Sequence, residues 1–141
     1  MSIKEIQNNL IAEFEQYTEW EDKYRRIIDL GRRLPELPEE FHNEKYKLSG
    51  CQSQVWINAK LVDGKIFFDA DSDAAIVKGL IAILIQVYSG HTPEEILSNP
   101  PEFLKNIGID NHLSPTRKNG LAAMMKQIQM YAVAFKMTAK R

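Results

Sequence analysis

Cys51 is the only thiol in a chain of 141 residues. A structural cysteine usually sits among core side chains as a small apolar residue. Here the neighbours Ser49, Gly50, Gln52, Ser53 and Gln54 are small or polar. Gly50 permits a sharp turn and close approach by another molecule. A single thiol on such a loop suits covalent exchange with a partner's sulfur, in which the thiolate attacks. A papain-like hydrolase is the rival reading, because Gln, Cys and a nearby Trp, here Trp56, recur in that setting. It fails on context. Such a thiolate needs a helix N-terminus and a paired histidine. Cys51 instead leads into a β-rich run, and no spacing singles out His42, His91 or His112 as a base.

The remaining polar residues offer less. The histidines show no H-x3-5-H or HExxH spacing, and one cysteine excludes any metal site that needs two thiolates from this chain. It also excludes an intrachain disulfide and fits a reducing compartment. Asp71 and Asp73 are a pair of acids, but Asp-Ser-Asp ahead of an apolar run reads as helix capping. There is no glycine-rich phosphate loop. Lys136, Lys140 and Arg141 crowd the end of the last helix, where they complement its dipole.

The elements that must position Cys51 follow from periodicity. Ile3, Ile6, Leu10 and Phe14 mark a first helix. Thr18 with Glu21 reads as a capping box for a second, whose stripe is Trp20, Tyr24, Ile27 and Ile28 and whose stop is Gly31. Two prolines make Arg32 to Pro38 an extended strap, pinned by Leu34 and Leu37, before one helical turn at Glu39 to His42. Tyr46 to Leu48 reads as a short strand, Ser49 to Cys51 as a loop, and Val55 to Val62 and Lys65 to Ala70 as a hairpin turning at Asp63-Gly64.

Asp71-Ser72-Asp73 then reads as the cap of a helix running to Ser89 and stopped by Gly90. That helix is apolar on nearly all faces and so central, and its Gly79 admits a close backbone approach. Thr92-Pro93-Glu94-Glu95 opens a short helix, Pro101 to Ile107 forms another ended by Gly108, and Ser114-Pro115 opens the last. Its stripe is Leu121, Met124, Met125, Ile128, Ala132 and Phe135. The order predicts a single α+β domain over residues 1–141, with a small antiparallel sheet of about three strands packed with several helices.

Composition agrees with an ordinary globular domain: 44% hydrophobic and 26% charged residues. Eighteen basic against nineteen acidic side chains leave a net charge of −1, which argues against general attraction to nucleic acid or an anionic membrane. The N-terminus MSIKEIQNNL has no basic segment followed by an apolar run, and the longest apolar run, Gly79 to Ile85, is far too short to span a bilayer. A cytoplasmic location is expected.

The run Ser49-Gly50-Cys51-Gln52-Ser53-Gln54-Val55-Trp56 resembles the signature of the SufE family, which includes the CsdE proteins. Arg33 to Pro38 is similar to the family's strap, Asp71 to Leu80 to the start of its central helix, and His112 to Arg117 with Gly120-Leu121 to the start of its last helix. The resemblance implies a SufE/IscU-like fold and, often, a homodimer. It also implies a function: taking persulfide sulfur from a pyridoxal-phosphate cysteine desulfurase (SufS-like or CsdA-like) onto Cys51, stimulating that enzyme, and passing the sulfur to an iron–sulfur scaffold. No bound cofactor or metal is implied for this chain. Asp73 and Arg117 match family positions and are carried over as supporting residues. Arg117 stabilises a thiolate or persulfide on one reading and is a surface ion-pairing residue on another. The competing functions are a non-catalytic interaction module and a CsdE-type acceptor feeding another sulfur pathway.

Overall fold

The computed structural model describes residues 1–49 and 51–139. The order is α1 (Ile3–Glu15), α2 (Trp20–Arg32), a 3-10 turn (Glu39–Phe41), β1 (Val55–Val62), β2 (Lys65–Ser72), α3 (Ala75–Tyr88), α4 (Pro93–Ser98), α5 (Phe103–Asn106), a second 3-10 turn (Asp110–His112) and α6 (Pro115–Ala139). The architecture is the expected α+β one. Lys140 and Arg141, expected at the end of α6, lie outside the described residues.

Helix α3 is the axis of the core. Ile76, Val77, Leu80, Ile81, Ile83, Leu84, Val87 and Tyr88 are all buried, as a helix apolar on nearly every face requires. Its closest helical partner is α2. The two meet backbone to backbone at glycines: a Cβ on Gly31 would lie 2.7 Å from the Gly79 nitrogen, and one on Gly79 would run into the Ile27 carbonyl oxygen. Gly31 does not end α2 in a left-handed conformation, as its sequence position suggests. It lies inside the helix with no positive φ, and its use is this contact.

The hairpin turns at Asp63 and Gly64 with φ of 52° and 79°, the doubly left-handed geometry that suits the strands' twist. Ile66, Phe68 and Ala70 of β2 and Val55 and Ile57 of β1 face the core. The third strand expected at Tyr46–Leu48 is reduced to one bridge, Lys47 with Trp56, outside the two-stranded sheet. Two backbone bonds hold it, Leu48 N–H to Val55 O at 2.7 Å and Ile57 N–H to Tyr46 O at 3.0 Å.

Capping differs from expectation at two helices. Thr18 does not cap α2; Glu19 occupies that position without a side-chain bond. Asp71-Ser72-Asp73 does not cap α3 either, because strand pairing continues two residues past Ala70, to Ser72 opposite Val55. The helix starts at Ala75 behind Ala74, with no side-chain cap. Thr92 and Glu95 do form the expected capping box, with Pro93 in the first turn. Ser2 and Glu5 form another that the apolar spacing did not suggest. The helix expected from Pro101 to Ile107 covers only Phe103–Asn106, since the first turn after two prolines is not helical. Gly108 follows it with φ of 77°.

Candidate functional site

The Cys51 loop is closed at its base from both sides. Leu48 before it and Val55 after it are buried and hydrogen-bonded to each other. Beyond Cys51, Asp73 Oδ1 accepts the Gln54 amide at 3.0 Å, and the Asp73 amide donates to Gln54 O at 3.3 Å. Asp73 therefore fixes the loop's exit rather than capping α3. Gly50, read as permitting a sharp turn, lies outside the described residues.

Cys51 is half-buried and packs against the core. Its thiol points to the Gly120 carbonyl of α6, 3.8 Å away, within range for a weak sulfur hydrogen bond. Burial pushes the thiol's pKa up, because loss of water penalises the thiolate. Beside it opens a cavity of about 400 Å³ whose walls include Gln52, Ser53, Val77, Ser114, Thr116, Arg117, Gly120 and Met124. Two physical characters meet there. Val77 and Met124 are apolar, while Ser114, Thr116 and Arg117 supply polar groups at the start of α6, where the helix dipole favours negative charge and Ser114 Oγ accepts the Arg117 amide at 3.3 Å.

Of the residues singled out from sequence, Cys51 and Arg117 thus come together on one cavity although 66 positions apart by number, 117 − 51. Asp73 acts on the loop's backbone and does not line the cavity. Asp71, its apparent twin, belongs to a separate cluster. Its Oδ2 lies 2.9 Å from His42 Nε2 and its Oδ1 3.2 Å from Lys78 Nζ. Burial works against the Asp71 carboxylate, but the His42 contact, the Ser72 amide and Lys78 outweigh it and hold the carboxyl below its usual range. Two features went unread in the sequence. Gly120, next to the thiol, entered the sequence reading only through its likeness to the start of the family's last helix, with no role at the site. The His42 contact had no sequence signal, since it joins positions 42 and 71 through tertiary packing.

His91 and His112 are far from forming a catalytic pair. His91 is buried and contacts the Met1 carbonyl at 3.1 Å, whereas His112 stacks on Trp20 with ring centroids 4.5 Å apart. Among the described residues no group of three or more His, Cys, Asp or Glu is placed to hold a metal, and no helix is long and apolar enough to cross a membrane.

These features define an α+β domain that presents one thiol between a polar loop and the start of a helix. The family described as SufE, Fe-S metabolism associated domain, matches residues 8–132. An uncharacterized SufE-like protein of Synechocystis sp. is 38% identical over 128 residues, covering 91% of this chain and 80% of that protein. The chain belongs to the SufE family, which is associated with iron–sulfur metabolism. The solution structure of a hypothetical protein from Thermus thermophilus shares the fold: TM-score 0.77 at 21% identity over 92% of this chain and 94% of that one. The N-terminal part of a NifU-like protein from Brucella abortus scores 0.41 at 16% identity, over 77% of this chain and 87% of that one, too low to carry the expected kinship with the IscU fold.

Proposed function

We propose that this chain, acting as one domain over residues 1–141, is a sulfur acceptor for a pyridoxal-phosphate cysteine desulfurase. The Cys51 thiolate attacks the outer sulfur of the donor's cysteine persulfide. A new S–S bond forms at Cys51 while the donor's S–S bond breaks, and the donor thiolate leaves with the electron pair. The step is an exchange with no net oxidation, so it needs no further reactant. Passing the sulfur to an iron–sulfur scaffold repeats it with Cys51 as donor. Draining the persulfide in this way raises the desulfurase's turnover.

The observation that carries this reading is the placement of the only thiol on a cavity shared with Arg117, in a chain of this family. Arg117, on the same cavity wall, is proposed to steady the thiolate or persulfide once the donor excludes water from the site, since a nearby cation favours the charged form. Asp73 holds the exit of the loop, so the thiol is presented from a defined base. The test is incubation with the desulfurase and free cysteine, read by intact-protein mass spectrometry. One reductant-removable sulfur on the wild type and none on Cys51→Ser is expected. An adduct that persists in Cys51→Ser would refute the assignment, as would sulfide release from cysteine by the purified chain alone.

A further inference from the structure

His42 lies at the end of the Glu39–Phe41 turn, seven residues before the Cys51 loop opens at Ser49 (49 − 42), and it belongs to none of the motifs used above. Three elements meet at its ring, and a fourth reaches it through Asp71. Asp71 of β2 meets Nε2 at 2.9 Å, and Lys78 of α3 holds the other Asp71 oxygen at 3.2 Å. Trp56 of β1 packs edge-on with centroids 5.0 Å apart. Glu39 of its own turn lies 4.0 Å from Nδ1, a buried nitrogen with no hydrogen-bond partner among the described residues.

The rung that His42 grips lies next to the Leu48–Val55 pair that closes the loop. Trp56 and Asp71 are partners in the hairpin register, and Trp56 is also the residue bridged by Lys47. Residues 46–48 form the stem leading into Cys51, and among the described residues only β1 pairs with them. A segment this short on a sheet edge frays readily unless side chains anchor it, because each backbone bond there merely replaces a bond to water. Phe41 adds an edge-on contact to Tyr46, with centroids 4.9 Å apart, so the same turn touches the stem directly.

We infer that His42 is a positioning residue: by gripping Asp71 and Trp56 it latches the strap and the 46–48 stem to the hairpin and so sets how often the Cys51 loop opens. The inference rests on the reading of Cys51 as the sulfur-accepting thiol, but its first test does not. The rate of Cys51 alkylation by iodoacetamide at fixed pH reports the open fraction, with no desulfurase present. His42→Ala is expected to speed alkylation about fivefold, the effect of losing one partly buried hydrogen bond of about 1 kcal/mol. His42→Gln, whose amide reaches the Asp71 carboxylate, is expected to stay within about twofold of wild type on the same scale. Ile96→Val removes a methyl from the core under α4 and controls for general destabilisation; it is expected to leave alkylation unchanged.

The second readout is sulfur transfer. With the loop already released, His42→Ala lowers the concentration of this protein that half-saturates the desulfurase, while turnover at saturation stays the same. Equal alkylation of wild type and His42→Ala overturns the latch. So does a His42→Gln protein that behaves like His42→Ala, or an Ile96→Val protein that alkylates as fast. If alkylation follows the expected order but no variant loads sulfur, the latch stands and the sulfur-acceptor reading falls.

Discussion

Replacing Gly120 by Ala separates what the fold needs from what the sulfur needs. Gly120 lies inside α6, is buried, and has no positive φ, so alanine fits its backbone. The added methyl would sit 3.6 Å from the Cys51 sulfur, ordinary van der Waals contact that displaces nothing in the resting protein. Glycine in a helix interior costs roughly 0.5–1 kcal/mol relative to alanine, so the substitution stabilises the fold. For a chain of this size that is a rise in Tm of about 2–4 °C. A persulfide changes the balance. Its outer sulfur lies about 2.05 Å beyond Sγ and, if sheltered, must occupy the cavity of about 400 Å³ that Gly120 borders. The methyl takes up space on that side. Loss of the contacts the outer sulfur would make where the methyl now sits costs about 1 kcal/mol, which lowers the inward, sheltered population of the persulfide roughly fivefold.

The assay loads wild type and Gly120→Ala with sulfur, removes the desulfurase, adds glutathione and follows the adduct by intact mass. The variant is expected to melt higher yet lose its sulfur about fivefold faster. A higher Tm with an unchanged persulfide lifetime would refute the sheltering of the outer sulfur in this cavity. A lower Tm would refute the steric reading of Gly120 itself.

Arg117→Ala, an exposed change at the cavity wall, should slow sulfur transfer by about tenfold while surface truncation leaves Tm nearly unmoved; a large loss of Tm with normal transfer would make Arg117 structural. Because burial raises the Cys51 pKa, less thiolate is present at neutral pH than in a free peptide, so the alkylation rate should climb with pH through a midpoint above that of a free cysteine peptide; a midpoint at or below the peptide's would mean that Arg117 and the α6 terminus outweigh burial. Gly79→Ala should cost about 3 kcal/mol in urea unfolding, since the methyl meets the Ile27 backbone rather than a yielding side chain; a loss under about 1 kcal/mol would show that α2 and α3 separate easily.

The sequence by itself determined the elements whose causes are local. The α3 run is apolar on nearly every face and could only be central, Asp63-Gly64 could take the two left-handed turn positions at low cost, and Thr92-Pro93-Glu94-Glu95 carries its own cap. It also narrowed the proposed sulfur acceptor to one atom, because a chain with one thiol leaves no other choice of nucleophile of that kind. Tertiary structure decided the rest, wherever two local preferences competed or distant positions met. Asp71-Ser72-Asp73 has the composition of a helix cap, yet pairing of β2 with β1 runs through Ser72 and turns the two aspartates to different work, Asp71 toward His42 and Lys78 and Asp73 toward the Gln54 amide. Gly31 looks like a helix stop until the approach of Gly79 gives it another use. The wall of the Cys51 cavity comes from α6, whose Gly120 is 69 positions along the chain, and periodicity along one element carries no information about which element packs across from it.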